Sequence, residues 1–163
     1  FDRPFFPMSA HEAGAAFSIR AFTPGDRLSI GGFSVATCAL SHPGGACGYR
    51  IEHAGRAVVV ALDHEHGATD IDRGLEAFCG GADLLLYDAT WDERVDYEPH
   101  RGWGHSTWQA GLALVQRAGA DRLVCLHHAP SSDDGVLLKR EKALQALAPQ
   151  SLFARQEQTL VLP

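Results

Sequence analysis

A layered α/β domain, with a mixed β-sheet and flanking helices, is what three observations predict for this chain. Hairpin-like segments come first, and strands then alternate with helices. Three apolar runs, at 57–62, 83–87 and 122–126, have the length and composition of buried strands. Asp63, Asp88 and His127 each stand directly after one of these runs. Strands that end together at one edge of a sheet bring such residues within side-chain reach, where open α/β sheets place their ligands.

The elements follow in order. The opening FDRPFFP is aromatic and proline-rich and reads as extended. Residues 16–22 alternate as a strand, and Pro24-Gly25 turns. Segments 27–30 and 33–40 form two strands joined at Gly31-Gly32, a hairpin signal. Ser41-His42-Pro43-Gly44-Gly45 leaves the sheet, residues 49–52 return to it, and Ala54-Gly55 leads into the run at 57–62. A polar loop through Ile71 precedes a helix over 72–79, stopped by Gly80-Gly81. After the strand at 83–87, residues 90–101 form a charged, aromatic loop or short helix.

Ser106, with Gln109 three residues on, has the pattern of a capping box, and Trp108, Leu112 and Val115 supply the apolar stripe of a helix to about Ala118. His105 thus precedes a helix N-terminus, which favours anions. The strand at 122–126 ends in His127-His128. A helix from 135 or 136 to 147 ends before Pro149, and short strands at 152–154 and 159–162 close the chain.

Composition narrows the function. The 163 residues suffice for one domain with its own core. Hydrophobic residues make up 45% and charged residues 21%, which fits a globular chain and opposes disorder. The net charge of −6, with scattered Lys and Arg, opposes an extended nucleic-acid surface but allows a small anionic substrate. No apolar run reaches membrane-spanning length and no basic-then-apolar leader is present, so the expected location is cytoplasmic. Cys38, Cys47, Cys79 and Cys125 lack any Cys-x-x-Cys spacing and read as reduced thiols.

Nine histidines is a high count for this length, and His42, His105, His127 and His128 fall at element ends. His42, Asp63 and His127 are of types that bind Zn²⁺, Mn²⁺ or Fe, although each also serves as an ordinary strand-end residue. Asp88 and His105 suit a carboxylate–imidazole pair for acid–base work, or a structural bond closing the loop over Trp103. His64 and His66 flank Glu65 in a polar loop, as surface residues or as one further ligand. His128 is a pocket-lining neighbour. Asp133 caps the following helix or supports the site. His11, His53 and His100 are assigned to the surface, and Trp91, Trp103 and Trp108 to core or pocket wall.

In this order, SHPGGACGYRIE, ALDHEH, ADLLLYDATW, GWGHSTW and LHHAP resemble the second half of a metallo-β-lactamase-fold hydrolase. The ribonuclease Z-like and phosphodiesterase-like branch is the nearest likeness, over about residues 33–128. The resemblance implies that residues 1–163 form a single partial domain, half of an αββα sandwich. It implies that His42 and His127 are metal ligands, that Asp63 bridges two metals, and that His105, supported by Asp88, acts at the leaving group or a phosphate oxygen. His128, His64 and Asp133 would stand around that set.

The defining His-x-His-x-Asp-His cluster is absent from the sequence. With Phe1 in place of an initiator Met, the expectation is that an N-terminal half has been removed or lies on another chain. The implied function is metal-dependent hydrolysis of a small phosphodiester. A two-metal site of zinc, manganese or iron would form in the complete fold, with little activity and no assured metal in this chain alone. A homodimer or partner fragment would fill the missing layer. The alternative is a metal-free binding or dimerisation module derived from that fold.

Overall fold

The structure, a computed structural model, describes residues 20–162. Seven strands form one mixed sheet in sequential order: β1 (Arg27–Ile30), β2 (Phe33–Leu40), β3 (Ala46–His53), β4 (Arg56–Ala61), β5 (Leu84–Asp88), β6 (Leu123–Leu126) and β7 (Leu152–Phe153). The first four pair antiparallel and the last four parallel. Helices α1 (Thr69–Cys79), α2 (Trp108–Ala118) and α3 (Asp134–Leu147) follow β4, β5 and β6.

The two hairpins are closed by two-residue turns with both central residues at positive φ. These are Gly31 and Gly32 at 55° and 88°, and Ala54 and Gly55 at 49° and 77°. That geometry matches the twist of the flanking strands and demands glycine or a strained residue. β3 begins at Ala46, three residues before the expected start, because its pairing with β2 runs out to Leu40.

Side chains alternate between the two faces of the sheet. Ala57, Val59, Ala61, Leu85, Tyr87, Leu123 and Cys125 point toward the helices and form the core with Leu75, Leu112, Val115, Leu144 and Phe153. The register puts Arg50 on this face as well, opposite Val59. Its guanidinium donates to the Phe78 and Gly80 carbonyls at 3.0 and 3.1 Å and so closes the end of α1 from the sheet. Ile51, Val58 and Leu84 share the opposite face, as do Tyr49, Val60, Leu86 and Val124.

Several boundaries differ from the expectations. α1 starts at Thr69, three residues early. Thr107, not Ser106, caps α2 by accepting from Ala110 N at 3.1 Å. Ser106 is fully buried and its polar groups are spent on Asp88, Tyr87 and His66. Gln109 closes no capping box; its carbonyl accepts from Glu93 N. Residues 20–22 and 159–162 are not strands, since neither finds a partner edge among the described residues. The FDRPFFP segment, His11 and the rest of the expected strand at 16–22 lie outside the described residues. The loop over 90–101 holds a single 3-10 turn at Glu98–His100.

Candidate metal centre

β2, β4, β5 and β6 run in the same direction, so their C-terminal ends share one edge of the sheet. His42, Asp63, Asp88 and His127 leave from that edge, and His105 arrives there just before α2. Asp63, Asp88, His105 and His127 each offer a ligand-type atom, and these atoms lie within 4.8 Å of one another. Asp63 and His127 hold left-handed backbones, with φ of 55° and 58°. For non-glycine residues this is a costly conformation of the kind found at sites where a side chain must be aimed.

Asp88 organises the cluster. Its side chain is fully buried, and its Oδ1 accepts from Thr90 N, Thr90 Oγ1 and Ser106 N at 3.1, 2.8 and 3.2 Å. Its Oδ2 accepts from Asp63 N at 3.1 Å and from His105 Nδ1 at 2.9 Å. A carboxylate only accepts, so the His105 proton on this side sits on Nδ1 and Nε2 is left as the free nitrogen.

His127 is oriented in a comparable way. Its Nδ1 lies 2.9 Å from Thr90 Oγ1, which also reaches Asp88 Oδ1 and the His127 carbonyl. The hydroxyl has one proton for those two oxygens, so His127 Nδ1–H donates to Thr90 and Nε2 carries the lone pair. That Nε2 faces Asp63 Oδ1 at 3.4 Å, and His105 Nδ1 stands 3.8 Å from the same oxygen. Among the described residues no group donates a hydrogen bond to the Asp63 carboxylate, which is half exposed. An imidazole nitrogen and a carboxylate oxygen set this close are donors of the kind that can share a cation. The donor set therefore fits a divalent ion of borderline softness.

His42 stands beside this group rather than within it. Its ring meets His105 edge-on at 5.6 Å between centroids, and its Nδ1 accepts from Gly44 N at 3.2 Å. Gly104, at φ 91°, presses against it so closely that a Cβ there would overlap the imidazole. Only glycine meets both demands.

The remaining candidates fall elsewhere. His64 is 1% exposed rather than on the surface. Its Nδ1 accepts from Ser41 N, and burial holds its basicity below the ordinary histidine value, partly offset by Asp72. His66 is also held low by burial; it stacks on Tyr97, and its Nδ1 lies 2.7 Å from Ser106 Oγ, which meets Tyr87 Oη at 2.9 Å. Burial pushes the Tyr87 phenol up. These groups border a cavity of about 320 Å³ between α1 and α2, behind the cluster. His128 turns away from the site and stacks on Phe153 at 5.1 Å. Asp133 caps α3 by accepting from Val136 N at 2.8 Å. His100, assigned to the surface, is half-buried against Trp91 at 3.8 Å.

Two supporting residues escaped sequence reasoning. Thr90 gave no signal beyond its place two residues after Asp88. Glu65 accepts from Gly102 N at 2.6 Å, Gly104 N at 2.8 Å and Tyr97 Oη at 3.2 Å, and so pins the loop that carries His105. Burial opposes its charge, but the three donors together hold its carboxyl below the usual range.

The profile of the family described as "Beta-lactamase superfamily domain" matches residues 2–128. Ribonuclease Z of Shouchella clausii is 37% identical over 73 residues, 45% of this chain and 22% of that protein. The metallo-β-lactamase fold protein YhfI from Bacillus subtilis superposes with a TM-score of 0.67 at 21% identity, over 83% of this chain and 52% of its own. Zn²⁺-bound PqqB from Methylobacterium extorquens gives a TM-score of 0.66 at 18% identity, over 88% of this chain and 55% of its own. The chain thus spans about half the length of these structural relatives and less of the ribonuclease. On the family match the chain belongs to the metallo-β-lactamase superfamily, its mixed sheet is that of the solved structures above, and over 73 residues it is similar to ribonuclease Z.

Proposed function

We propose that this chain supplies part of the active site of a metal-dependent hydrolase that cleaves a compact phosphodiester. The observation that carries this reading is the Asp63–Asp88–His105–His127 cluster, whose ligand-type atoms lie within 4.8 Å of one another. Asp63 and His127 would hold the ion, joined by His42 once its ring is released from Gly44 N. A divalent metal held there would supply Lewis acidity toward water and toward the charge that develops at phosphorus. His105, fixed through Nδ1 by Asp88, would offer Nε2 to a phosphate oxygen or carry the proton to the leaving oxygen. The N-terminus of α2 behind it favours an anion at that place.

Three donors suffice for one ion and are too few for two, so a two-metal site would need donors from outside these residues. Zinc suits the imidazole and carboxylate donors best, with manganese and iron as the other metals of matching preference. The net charge of −6 favours a compact substrate over a long RNA, which would need a basic track.

The test is elemental analysis of protein purified without added metal or chelator, followed by assays on bis(p-nitrophenyl) phosphate and on a short RNA. The expected result is a transition metal near one per chain in the wild type, and at least a ten-fold weaker affinity in His127→Ala and Asp63→Ala. Absence of metal after reconstitution with Zn²⁺ and Mn²⁺ would overturn the reading in favour of a metal-free module.

A further inference from the structure

We propose that Trp103 is a stacking platform for a nucleobase carried by the phosphodiester, which makes it a specificity residue beside the metal centre. This deepens the phosphodiester reading and rests on it for the position of the phosphate.

Trp103 is 60% exposed, an unusual state for the side chain with the largest apolar surface. Its backbone is nevertheless tightly held. Trp103 N donates to the His100 carbonyl at 3.1 Å, and the Gly102 and Gly104 N–H groups on either side both donate to Glu65. Both glycines have positive φ, 88° and 91°, so the loop takes a path that L-residues resist. A ring displayed on a rigid loop loses little freedom on binding, which is what a recognition element requires.

The ring's surroundings also point to a ligand. Trp91 and His100 stack on each other at 3.8 Å and 10° between planes. Trp103 stands nearly perpendicular to both, at 6.5 and 4.8 Å. Neither neighbour lies flat on it, and its exposure leaves at least one indole face open. Bases stack on such faces, and the contact tolerates any base because each has a π-face.

Position completes the argument. Trp103 lies two positions before His105, a span of at most about 7 Å along the chain. A phosphate at the His105 and Asp63 edge would therefore place the base of the same nucleotide within reach of the indole.

The test is calorimetric titration of the full chain with adenosine 5′-monophosphate and with ribose 5-phosphate, which lacks the base. Wild type is expected to bind the nucleotide roughly ten-fold more tightly. Trp103→Ala should bring the two affinities together, and Trp103→Phe should restore part of the difference, with thermal melts confirming that both variants fold. Equal affinities in the wild type, a preference that survives Trp103→Ala, or no binding of either compound would overturn the proposal. The hydrolytic reading fails separately: a base preference that depends on Trp103, in protein without metal or phosphodiesterase activity, would keep the platform and remove the hydrolase. Hydrolysis without base preference would do the reverse.

Discussion

Up to five donors converge on the Asp88 carboxylate, which joins the ends of β4 and β5, the segment before α2 and, through Thr90, the end of β6. A buried charge is tolerable only when satisfied in this way. Asp88→Asn keeps the shape but turns an NH₂ group toward N–H donors on one side. The expected loss is about 2–3 kcal/mol of stability by urea denaturation, from hydrogen bonds to a charged acceptor. Metal affinity should fall at least ten-fold, because His105 and His127 lose the group that orients them.

Among single residues, Asp63, Asp88 and His127 were legible because each follows an apolar strand, and strand ends of one direction meet. Glu65 was not, since its partners lie 37 and 39 residues on and nothing local marks it. The burial of His64 was equally hidden, because α1 begins earlier than its composition implies and closes over the loop.

His66 makes a pH-dependent contribution. Burial lowers its proton affinity in the folded chain below that of the unfolded chain. The unfolded state therefore takes up the proton first as pH falls, and stability declines from about pH 6.5 downward while staying level above it. The slope for one such group approaches about 1.4 kcal/mol per pH unit, and His66→Asn should remove its share in urea midpoints measured from pH 5 to 8. An unchanged slope in the variant would show that His66 is not the group responsible.

Helix α2 connects core and site. Thr107 opens it, Gly119 closes it in the left-handed conformation at φ 64°, and Gly111 lets it approach β5. Helix propensity alone ranks Gly111→Ala as stabilising by about 1 kcal/mol. The structure reverses the sign. A Cβ at Gly111 would meet Tyr87 Cδ1 at 2.6 Å, and that ring is 1% exposed with its hydroxyl tied to Ser106. Overpacking of this kind costs about 1–3 kcal/mol, so the urea midpoint should fall. A rise would mean that the Tyr87 ring has room to turn.

The hairpins, the three buried strands and the order of helices could be read from glycine pairs and apolar runs, which are local signals. The cap of α2 could not. Ser106 and Thr107 have equal claims by type, and the choice was settled by Asp88, which claims the Ser106 amide. The short pattern at 159–162 alternates like a strand, but a strand needs a neighbour, and β7 ends at Phe153.

The two faces of the sheet are treated unequally. Among the described residues, all three helices lie on one side, where Val59, Leu85 and Leu123 have no exposed surface. On the other side Tyr49, Ile51, Val58, Val60, Leu86 and Leu126 remain half-buried, an apolar surface continuous across β3 to β6. A sheet face of this composition is stabilised by packing a second sheet about 10 Å away, with side chains interlocked. We therefore expect the chain to self-associate through this face as a symmetric dimer.

Size-exclusion chromatography with light scattering should give twice the 17.6 kDa chain mass. Val60→Glu, at a position paired with Tyr49 and Leu86 and away from the helix-side core, should shift it to a monomer with unchanged helical circular dichroism. A compact wild-type monomer would end the dimer hypothesis. A dimer whose metal content falls when Val60→Glu separates it would instead mean that the second copy supplies the donors that Asp63 and His127 lack.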